Sequence, residues 1–359
     1  GVIVLIPKQD KDQRIIGNLR PITLLNTFYK IISGVITKRL KPTLQRIIQE
    51  NQKAYLPGRY IGEATRSVYD ILDYSIKNKI TGHTILVDFK KAFDSISHKF
   101  LKSTLKIFNF SDKVVHWINT ILSNFSSQTL VNGHLGEIIE LLRGCRQGDP
   151  IAGYLFILAI EILLTKLKAT TTIHPWTSRK GIKLLVEGYA DDLTILLRSL
   201  GLRMDIHQVK EVLRILDGFR EISGLTVNKG KTQICTFGPR DDAECKTLYN
   251  NTKIKNVNTF KLLGIEFTHD LQGMERNYEQ ALDKFRKDLF SWIDLKLSNE
   301  EKAMVVKVYG IPKFNHIATI LPDPPKETLK RIEDCTVKFI QAGGYKTTKQ
   351  LIFSPKSVG

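Results

Sequence analysis

The stretch Tyr-Ala-Asp-Asp at residues 189–192 lies between two apolar, β-rich runs, residues 182–186 and 193–197. The pattern predicts a β-hairpin with two adjacent carboxylates at its bend. Folding alone gives little reason for such a pair, since buried unpaired charges are costly and like charges repel. Mg²⁺ resolves the problem because it prefers carboxylate oxygens and bridges to phosphates. Taken alone, the pair is equally typical of a solvated turn.

A third carboxylate follows residues 84–87, a β-branched, apolar run that is typical of a buried strand and ends at Asp88. If this strand lies beside the hairpin, Asp88 faces Asp191, and the carboxylates would hold two Mg²⁺ ions. Such ions lie about 3.5–4 Å apart and stabilise both the attacking and the leaving oxygens of a phosphoryl transfer. On its own, Asp88 is equally typical of a residue that caps the following segment.

These two stretches together resemble the catalytic hairpin and the first catalytic strand of the reverse transcriptase family. Further motifs of that family follow in the family's order: Leu-Ile-Pro-Lys at 5–8, Asn-Leu-Arg-Pro-Ile at 18–22, Gly-Cys-Arg-Gln-Gly-Asp-Pro at 144–150, Gly-Leu-Thr-Val-Asn at 224–228 with Lys-Thr at 231–232, and Phe-Lys-Leu-Leu-Gly at 260–264. Residues 52–59 and 92–95 look most like those of non-LTR (LINE-type) retrotransposons. The resemblance covers essentially the whole chain.

The resemblance implies an α+β right-hand polymerase fold, in which helices back an antiparallel palm sheet and fingers and a helical thumb are attached to it. The expected boundaries are fingers at 1–80, palm with intervening fingers elements and a primer-grip hairpin at 81–270, helical thumb at 271–345, and the start of a C-terminal connector at 346–359. The implied activity is RNA-directed DNA polymerisation, in which a primer 3′-OH attacks a deoxynucleotide with the help of two Mg²⁺ ions.

The resemblance also implies roles for individual residues. Asp88, Asp191 and Asp192 would be catalytic and bind metal. Lys8 and Arg20 would contact the triphosphate, a task that suits Arg because its guanidinium grips phosphate bidentately. The family places a bulky side chain under the sugar at the position of Phe93, where it would exclude a 2′-OH. Asp94 is expected to organise the turn instead of binding metal.

Three further predictions concern the substrate and the primer. Gln147 and Gly148 would lie against the nascent base pair, with Gly148 letting the backbone approach the substrate. Lys231 would donate a proton to the leaving pyrophosphate. Leu262, Leu263 and Gly264 would form the primer grip. The chain departs from the family at 151–154, where Ile-Ala-Gly-Tyr replaces a usual Ser-Pro pair and Gly153 weakens the start of a helix.

Three other interpretations stay open on the sequence alone. A viral RNA-dependent RNA polymerase has a similar hairpin, but it needs a polar residue near position 93. A catalytically decayed, polymerase-derived RNA-binding scaffold is a non-enzymatic alternative, which the three intact carboxylates disfavour. A reverse transcriptase like the group II intron maturases has nearly the same chemistry.

Composition narrows the class of partner. The 54 Lys and Arg residues exceed the 36 Asp and Glu residues by 18, which favours a polyanion. The expected partners are an RNA template, a DNA primer, target DNA and dNTPs, with no membrane. Four scattered cysteines without a Cys-x-x-Cys unit predict free thiols in a reducing, intracellular compartment, and the resemblance adds the nucleus as the place of action.

The remaining patterns concern organisation. Helices are expected at 29–40, 63–76, 151–167 and 206–219, and a purely helical region from about residue 275. The sequence shows no secretory leader and begins directly with a strand-like run. We therefore expect a fragment of a longer polyprotein whose endonuclease and nucleic-acid-binding domains lie outside it.

Overall fold

A computed structural model describes residues 1–8, 12–123, 126–343 and 348–353. They form two compact units. The first contains Gly1–Ala64 and Ser75–Asn258, and the second contains Thr65–Tyr74 and the chain from Thr259 onward. The predicted boundaries of fingers, palm, thumb and connector stay a prediction, and residues 346–347 and 354–359 of the expected connector lie outside the described residues.

The first unit contains eleven described strands: β1 Val2–Pro7, β2 Leu19–Leu24, β3 Gly82–Val87, β4 Ser126–Val131, β5 His134–Glu140, β6 Trp176–Thr177, β7 Lys183–Leu184, β8 Val186–Tyr189, β9 Asp192–Arg198, β10 Gln233–Phe237 and β11 Lys255–Asn256. Its helices are α1 Thr27–Ile47, part of α2 Ile61–Asn78, α3 Ala92–Ser95, α4 His98–Ile107, α5 Asp112–Leu122, α6 Ala152–Ala169, α7 Leu202–Ser223 and α8 Asp242–Thr252.

The central sheet of this unit has the strand order β11-β10-β3-β9-β8. Its β10-β3-β9-β8 part is antiparallel, and β11 pairs with β10 in parallel. The register of β3 and β9 runs from Gly82 opposite Arg198 to Val87 opposite Leu193. A one-residue slip would turn every side chain of one strand to the opposite face of the sheet. Because the apolar residues of both strands are buried in the observed register, that register is fixed.

Helix α6 lies in the core that contains the buried residues of this sheet. Thirteen of its residues are buried, so it is apolar on all sides, as expected for a helix enclosed by other elements. Helix α7 is amphipathic and ends at Ser223, where Gly224, with a φ of +80°, caps it in the left-handed conformation. A second sheet has the strand order β2-β1-β4-β5. Strands β1 and β2 precede β3 in the chain, and β4 and β5 follow it.

The second unit contains one hairpin and a set of helices: β12 Thr259–Leu262, β13 Ile265–Thr268, α9 Arg276–Phe290, α10 Asn299–Val305, α11 Pro312–Ala318, α12 Lys326–Gln341 and α13 Lys349–Ile352. Helix α9 packs against α11 and α12. The Phe285 and Phe314 rings lie 5.4 Å apart between centroids. This unit therefore has its own apolar core.

Most predicted elements are present, with corrections at their ends. Helix α1 extends seven residues beyond position 40 and contains Pro42. The purely helical region expected from about residue 275 begins with α9, which ends at Phe290. Within the same region, the short α10 is followed by a π-helical turn, Val306–Gly310. The four cysteines are buried free thiols. None of the described helices has the length and apolarity needed to cross a bilayer.

Candidate active site

Strands β8 and β9 form the predicted hairpin, and Tyr189 pairs with Asp192 at its end. Ala190 and Asp191 are the two turn residues. Ala190 has a φ of +56°, whereas Asp191 has no positive φ, a pattern of type II′ turns. For a residue other than glycine, the left-handed region costs about 1–2 kcal/mol. The hairpin therefore presents Asp191 on a strained turn, in which Ala190 is buried with 5% of its surface exposed.

Asp88 follows β3 directly, one position beyond the pair of Val87 and Leu193. The same register, continued by one residue, places Asp88 level with Asp192. Asn228 N–H donates to the Asp88 carbonyl at 2.7 Å, and Asp88 N–H donates to Thr232 Oγ1 at 3.3 Å. The predicted motif at 224–232 therefore holds the backbone that carries the first carboxylate.

The three carboxylates influence one another electrostatically. Burial, followed by repulsion from Asp191 and Asp88, raises the pKa of Asp192 to about 6, although its side chain keeps exposed surface. Burial first, and then the Asp88 charge, also raises the pKa of Asp191. A shift in this direction means that the carboxylates lack cationic partners strong enough to offset burial and repulsion.

This donor set fits hard divalent cations, because it consists of carboxylate oxygens that repel one another until a cation lies between them. Within the described part of the chain, no three His, Cys, Asp or Glu side chains already converge as a metal-binding group. The three carboxylates are thus close enough for their charges to raise the pKa of Asp191 and Asp192 without forming a closed ligand set.

Phe93 lies in a group of aromatic rings beside this hairpin. Its ring stacks on Phe156 at 4.4 Å and meets the Tyr55 ring edge-on at 6.5 Å. Burial, and after it the Asp191 charge, raises the pKa of Tyr55, so the phenol lies within electrostatic reach of the hairpin. Phe93 is half-buried and has both packing partners and accessible surface.

The same group of aromatic rings explains Gly153, where the chain departs from the family pattern. A Cβ at this position would lie 2.8 Å from the Tyr55 ring. A side chain at the start of α6 would displace that ring, so the helix start has a glycine for a packing reason.

Gln147 and Gly148 lie in the loop that precedes α6. Thr23 N–H donates to the Gln147 carbonyl at 2.8 Å, which ties this loop to β2. Gly148 has a φ of +112°, and a Cβ there would lie 2.7 Å from the Thr23 carbonyl oxygen. The close approach to β2 therefore requires a glycine at position 148. This reason for the glycine differs from the predicted one, which was the approach of the backbone to the substrate.

Asp149 fixes the same loop from the other side. Its carboxylate accepts hydrogen bonds from the hydroxyls of Tyr29 and Ser33 on α1, each at 2.5 Å. It also accepts from Ile151 N–H at 3.2 Å. The Arg146 guanidinium lies 4.9 Å from the centre of the Tyr29 ring. The loop is therefore held between α1, β2 and α6.

The predicted phosphate-binding cations lie on the first unit. Lys8 and Arg20 belong to the β1–β2 hairpin region, where Arg20 pairs with Ile6. Lys8 Nζ donates to the Gly17 carbonyl at 2.9 Å, and the Arg20 side chain is exposed. Lys231 is exposed, and its backbone N–H donates to the Asn228 carbonyl at 3.0 Å in a turn.

The predicted primer grip is the β12–β13 hairpin of the second unit. Leu262 ends β12, while Leu263 and Gly264 form its two-residue turn with φ values of +46° and +93°. These values are those of a type I′ turn, which matches the twist of paired strands. His316 Nε2 lies 2.8 Å from the Leu263 carbonyl oxygen.

Two residues of the predicted LINE-like motif at 52–59 lie within contact or electrostatic reach of the hairpin, and sequence reasoning proposed no role for them. They are Tyr55, described above, and Gln52, whose side chain hydrogen-bonds to Ala190. The signal was a polar, uncharged residue in a motif of the resembled family. Sequence spacing alone does not indicate that Gln52 meets a turn 138 residues away.

A family model described as reverse transcriptase (RNA-dependent DNA polymerase) matches residues 6–267. The chain belongs to the reverse transcriptase family. The matched region includes every predicted site residue, from Lys8 to Gly264. It covers well over half of the chain, so the family resemblance inferred from separate motifs is confirmed.

Relatives place the chain among non-LTR retrotransposons, as predicted. It is 31% identical over 211 residues to a transposon TX1 protein of Xenopus laevis, covering 59% of this chain and 16% of the relative. It is 27% identical to the type-1 R2 retrotransposable element polyprotein of Popillia japonica, and the alignment covers 86% of this chain and 43% of the relative. It is 23% identical to the RNA-directed DNA polymerase of the Drosophila melanogaster mobile element jockey, covering 92% and 37%. The chain thus spans less than half of these relatives.

Solved structures share the fold. A Candida tropicalis telomerase in complex with a telomeric RNA fragment aligns with a TM-score of 0.51 at 13% identity, covering 98% of this chain and 63% of that one. The RNA-dependent RNA polymerase of a human picobirnavirus aligns with a TM-score of 0.51 at 12% identity, covering 96% and 59%. These likenesses confirm the predicted α+β right-hand polymerase fold.

Proposed function

We propose that this domain is the RNA-directed DNA polymerase of a non-LTR retrotransposon polyprotein. The observation that carries the proposal is the position of Asp88 and the 191–192 pair at the ends of adjacent antiparallel strands, where burial and mutual repulsion act on the hairpin carboxylates. In the reaction, a primer 3′-OH attacks the α-phosphate of a dNTP, a phosphodiester bond forms and pyrophosphate leaves.

Asp88, Asp191 and Asp192 would hold two divalent cations, Mg²⁺ by the preference of that ion for carboxylates and phosphates. When bound, the ions would neutralise charge on the phosphates and favour the attacking oxygen. The protein's own contribution is position: β3 and the β8–β9 hairpin set the three carboxylates on rigid strands. Catalysis of phosphoryl transfer depends mainly on such positioning and charge neutralisation.

The proposed nucleotide site uses residues of the first unit. Lys8 and Arg20 would contact the triphosphate, and Gln147 with Gly148 would lie against the nascent base pair. Phe93 would form the floor of the sugar pocket, where an apolar ring offers a 2′-OH neither space nor a hydrogen-bond partner. Lys231 would protonate the pyrophosphate that leaves.

The template and primer would be held by dispersed cations. The exposed basic residues of α9 and α12 include Lys284, Arg286, Lys287, Lys330, Arg331 and Lys338. These residues would contact the phosphate backbone, and Leu262, Leu263 and Gly264 would contact the primer. An RNA template, a DNA primer and target DNA are the proposed partners, the polyprotein's endonuclease and nucleic-acid-binding domains would act with them, and the nucleus is the proposed place of action.

The test is primer extension on matched RNA and DNA templates, with dNTPs and NTPs in parallel and with Mg²⁺ present or chelated. The proposal predicts Mg²⁺-dependent DNA synthesis on the RNA template. Ribonucleotide incorporation at an equal rate would support an RNA polymerase instead. RNA binding without any incorporation would support the decayed scaffold. Binding should also weaken with salt, with a log–log slope on the order of −5 for six phosphate contacts.

A further inference from the structure

The turn that presents Asp191 has an unusual requirement. Ala190 adopts a φ of +56°, a conformation that glycine adopts without strain and alanine rarely does. Its N–H and C=O are not used by the β8–β9 ladder, whose last pair joins Tyr189 to Asp192. Buried peptide groups need hydrogen-bond partners. The surroundings of Ala190 must therefore both hold its strained conformation and pair its peptide groups.

The Gln52 side chain meets both requirements. Its Oε1 accepts a hydrogen bond from Ala190 N–H at 2.9 Å, and its Nε2 donates to the Ala190 carbonyl at 3.4 Å. Oε1 also accepts from Ala54 N–H at 3.1 Å. Two N–H donors thus face Oε1, and a carbonyl faces Nε2, which fixes the orientation of the amide. Neither a carboxylate nor an apolar side chain of this length supplies both groups.

Gln52 is itself held firmly. It is 0% exposed. The backbone on either side of it pairs with β8: Gly188 N–H donates to the Asn51 carbonyl and Lys53 N–H donates to the Gly188 carbonyl, each at 2.8 Å. The Arg59 guanidinium donates to the Gln52 carbonyl at 2.6 Å. Gln52 is therefore a fixed support, from which two hydrogen bonds reach the residue before Asp191.

We propose that Gln52 is a positioning residue for catalysis, because its amide clamps Ala190 and so sets the position of Asp191. The inference rests on the proposed polymerase function for its kinetic consequence, whereas the clamp itself is a property of the fold. Losing the clamp lets the turn relax, so Asp191 occupies its catalytic position for a smaller fraction of the time.

The key variant is Gln52→Met, which keeps the length and removes both hydrogen bonds to Ala190 together with the one from Ala54 N–H. Gln208→Met is the matched control. Gln208 is also 0% exposed and also hydrogen-bonds to backbone, donating to the Arg198 carbonyl at 3.2 Å and accepting from His174 N–H at 2.8 Å. Both variants should lower the melting temperature. Only Gln52→Met should lower kcat, by at least about tenfold, with the dNTP KM within about threefold.

Two further measurements separate positioning from general destabilisation. Amide hydrogen exchange at Ala190 and Asp191 should accelerate at least about tenfold in Gln52→Met and stay unchanged in Gln208→Met. Adding Ala190→Gly to Gln52→Met should restore part of the lost kcat, since glycine adopts the positive φ without the clamp.

The exchange measurement requires no activity. If the wild-type domain failed to extend any primer, the polymerase proposal would fall, while faster exchange in Gln52→Met would still establish the clamp. Unchanged exchange at the turn in Gln52→Met would overturn the clamp. An active wild type with kcat equal in Gln52→Met and Gln208→Met would overturn the positioning role.

Discussion

The two ends of the central sheet hold charged side chains in opposite ways. At the start of β3, His83 Nε2 lies 3.0 Å from the Asp205 carboxylate, and both side chains are 5% exposed. Ser199 Oγ donates to the same carboxylate at 2.6 Å and Leu200 N–H at 2.9 Å. Burial alone raises the pKa of Asp205, but the contacts with His83, Ser199 and Leu200 outweigh it and lower the pKa.

At the other end of the same strands, burial and repulsion raise the pKa of Asp191 and Asp192. Strand β9 runs from one site to the other, so the contrast arises within one sheet. The comparison shows that contacts with neighbouring groups outweigh burial at the Asp205 carboxylate. At the Asp191 end burial and repulsion prevail, which costs stability, as functional sites commonly do.

The sharpest test of the contrast is Asp191→Asn. It should abolish extension while leaving affinity for primer–template nearly unchanged, because duplex binding comes from dispersed cations. Losing a metal ligand should cost several kcal/mol of barrier, and each ~1.4 kcal/mol is tenfold in rate. Single-turnover incorporation and equilibrium binding would be measured together. A variant that keeps more than about a tenth of the wild-type rate would contradict the assignment.

Asp205→Asn should have the reverse effect. It weakens the buried contacts of this carboxylate with His83, Ser199 and Leu200 and should lower the free energy of unfolding by about 2–3 kcal/mol at neutral pH, with little change in extension rate while folded. Because folding lowers the pKa of Asp205, this contribution is present above the unfolded value of about 4 and is lost as the pH falls through the lower folded value. Denaturant unfolding at pH 7 and pH 3 would measure it. Equal stability of variant and wild type at pH 7 would show that these contacts are not stabilising.

Phe93→Val sharpens the comparison at the substrate side. The smaller side chain opens space for a 2′-OH, so discrimination against ribonucleotides should fall at least about tenfold, roughly 1.4 kcal/mol. The stack on Phe156 is also lost, so the melting temperature should fall. Phe100→Val is the control, because it removes a different buried ring that packs on Phe219. If both variants were destabilised and neither changed the discrimination, Phe93 would be a packing residue only.

The smallest effect concerns the stability of the metal-free protein. Folding raises the pKa of Asp192 from an ordinary value near 4 to about 6, so its charge destabilises the fold above pH 6 and not below about pH 4. Asp192→Asn should therefore raise the melting temperature at pH 7.5 by about 2 °C, since the exposed carboxylate is screened to about 1 kcal/mol. The gain should vanish at pH 4. A lower melting temperature at pH 7.5 would mean that the carboxylate is stabilising.

The sequence predicted the carboxylate hairpin and its neighbouring strand because short apolar, β-branched runs and short motifs are local signals. It also predicted α6, from an almost wholly apolar run, and α7, from apolar residues that recur at helical spacing. The sequence did not predict contacts between distant segments. Neither the clamp from Gln52 to Ala190 nor the ring of Tyr55 above Gly153 has a local signature. The pairing of His83 with Asp205 was missed for the same reason.

The most direct test of the central claim is single-nucleotide incorporation on an RNA template by wild type, Asp88→Asn and Asp205→Asn, at a temperature where all three are folded. The polymerase account predicts that Asp88→Asn is at least about a thousandfold slower than wild type and that Asp205→Asn is within about threefold of it. Comparable rates for Asp88→Asn and wild type would contradict the claim that the carboxylate end of the sheet is the catalytic centre.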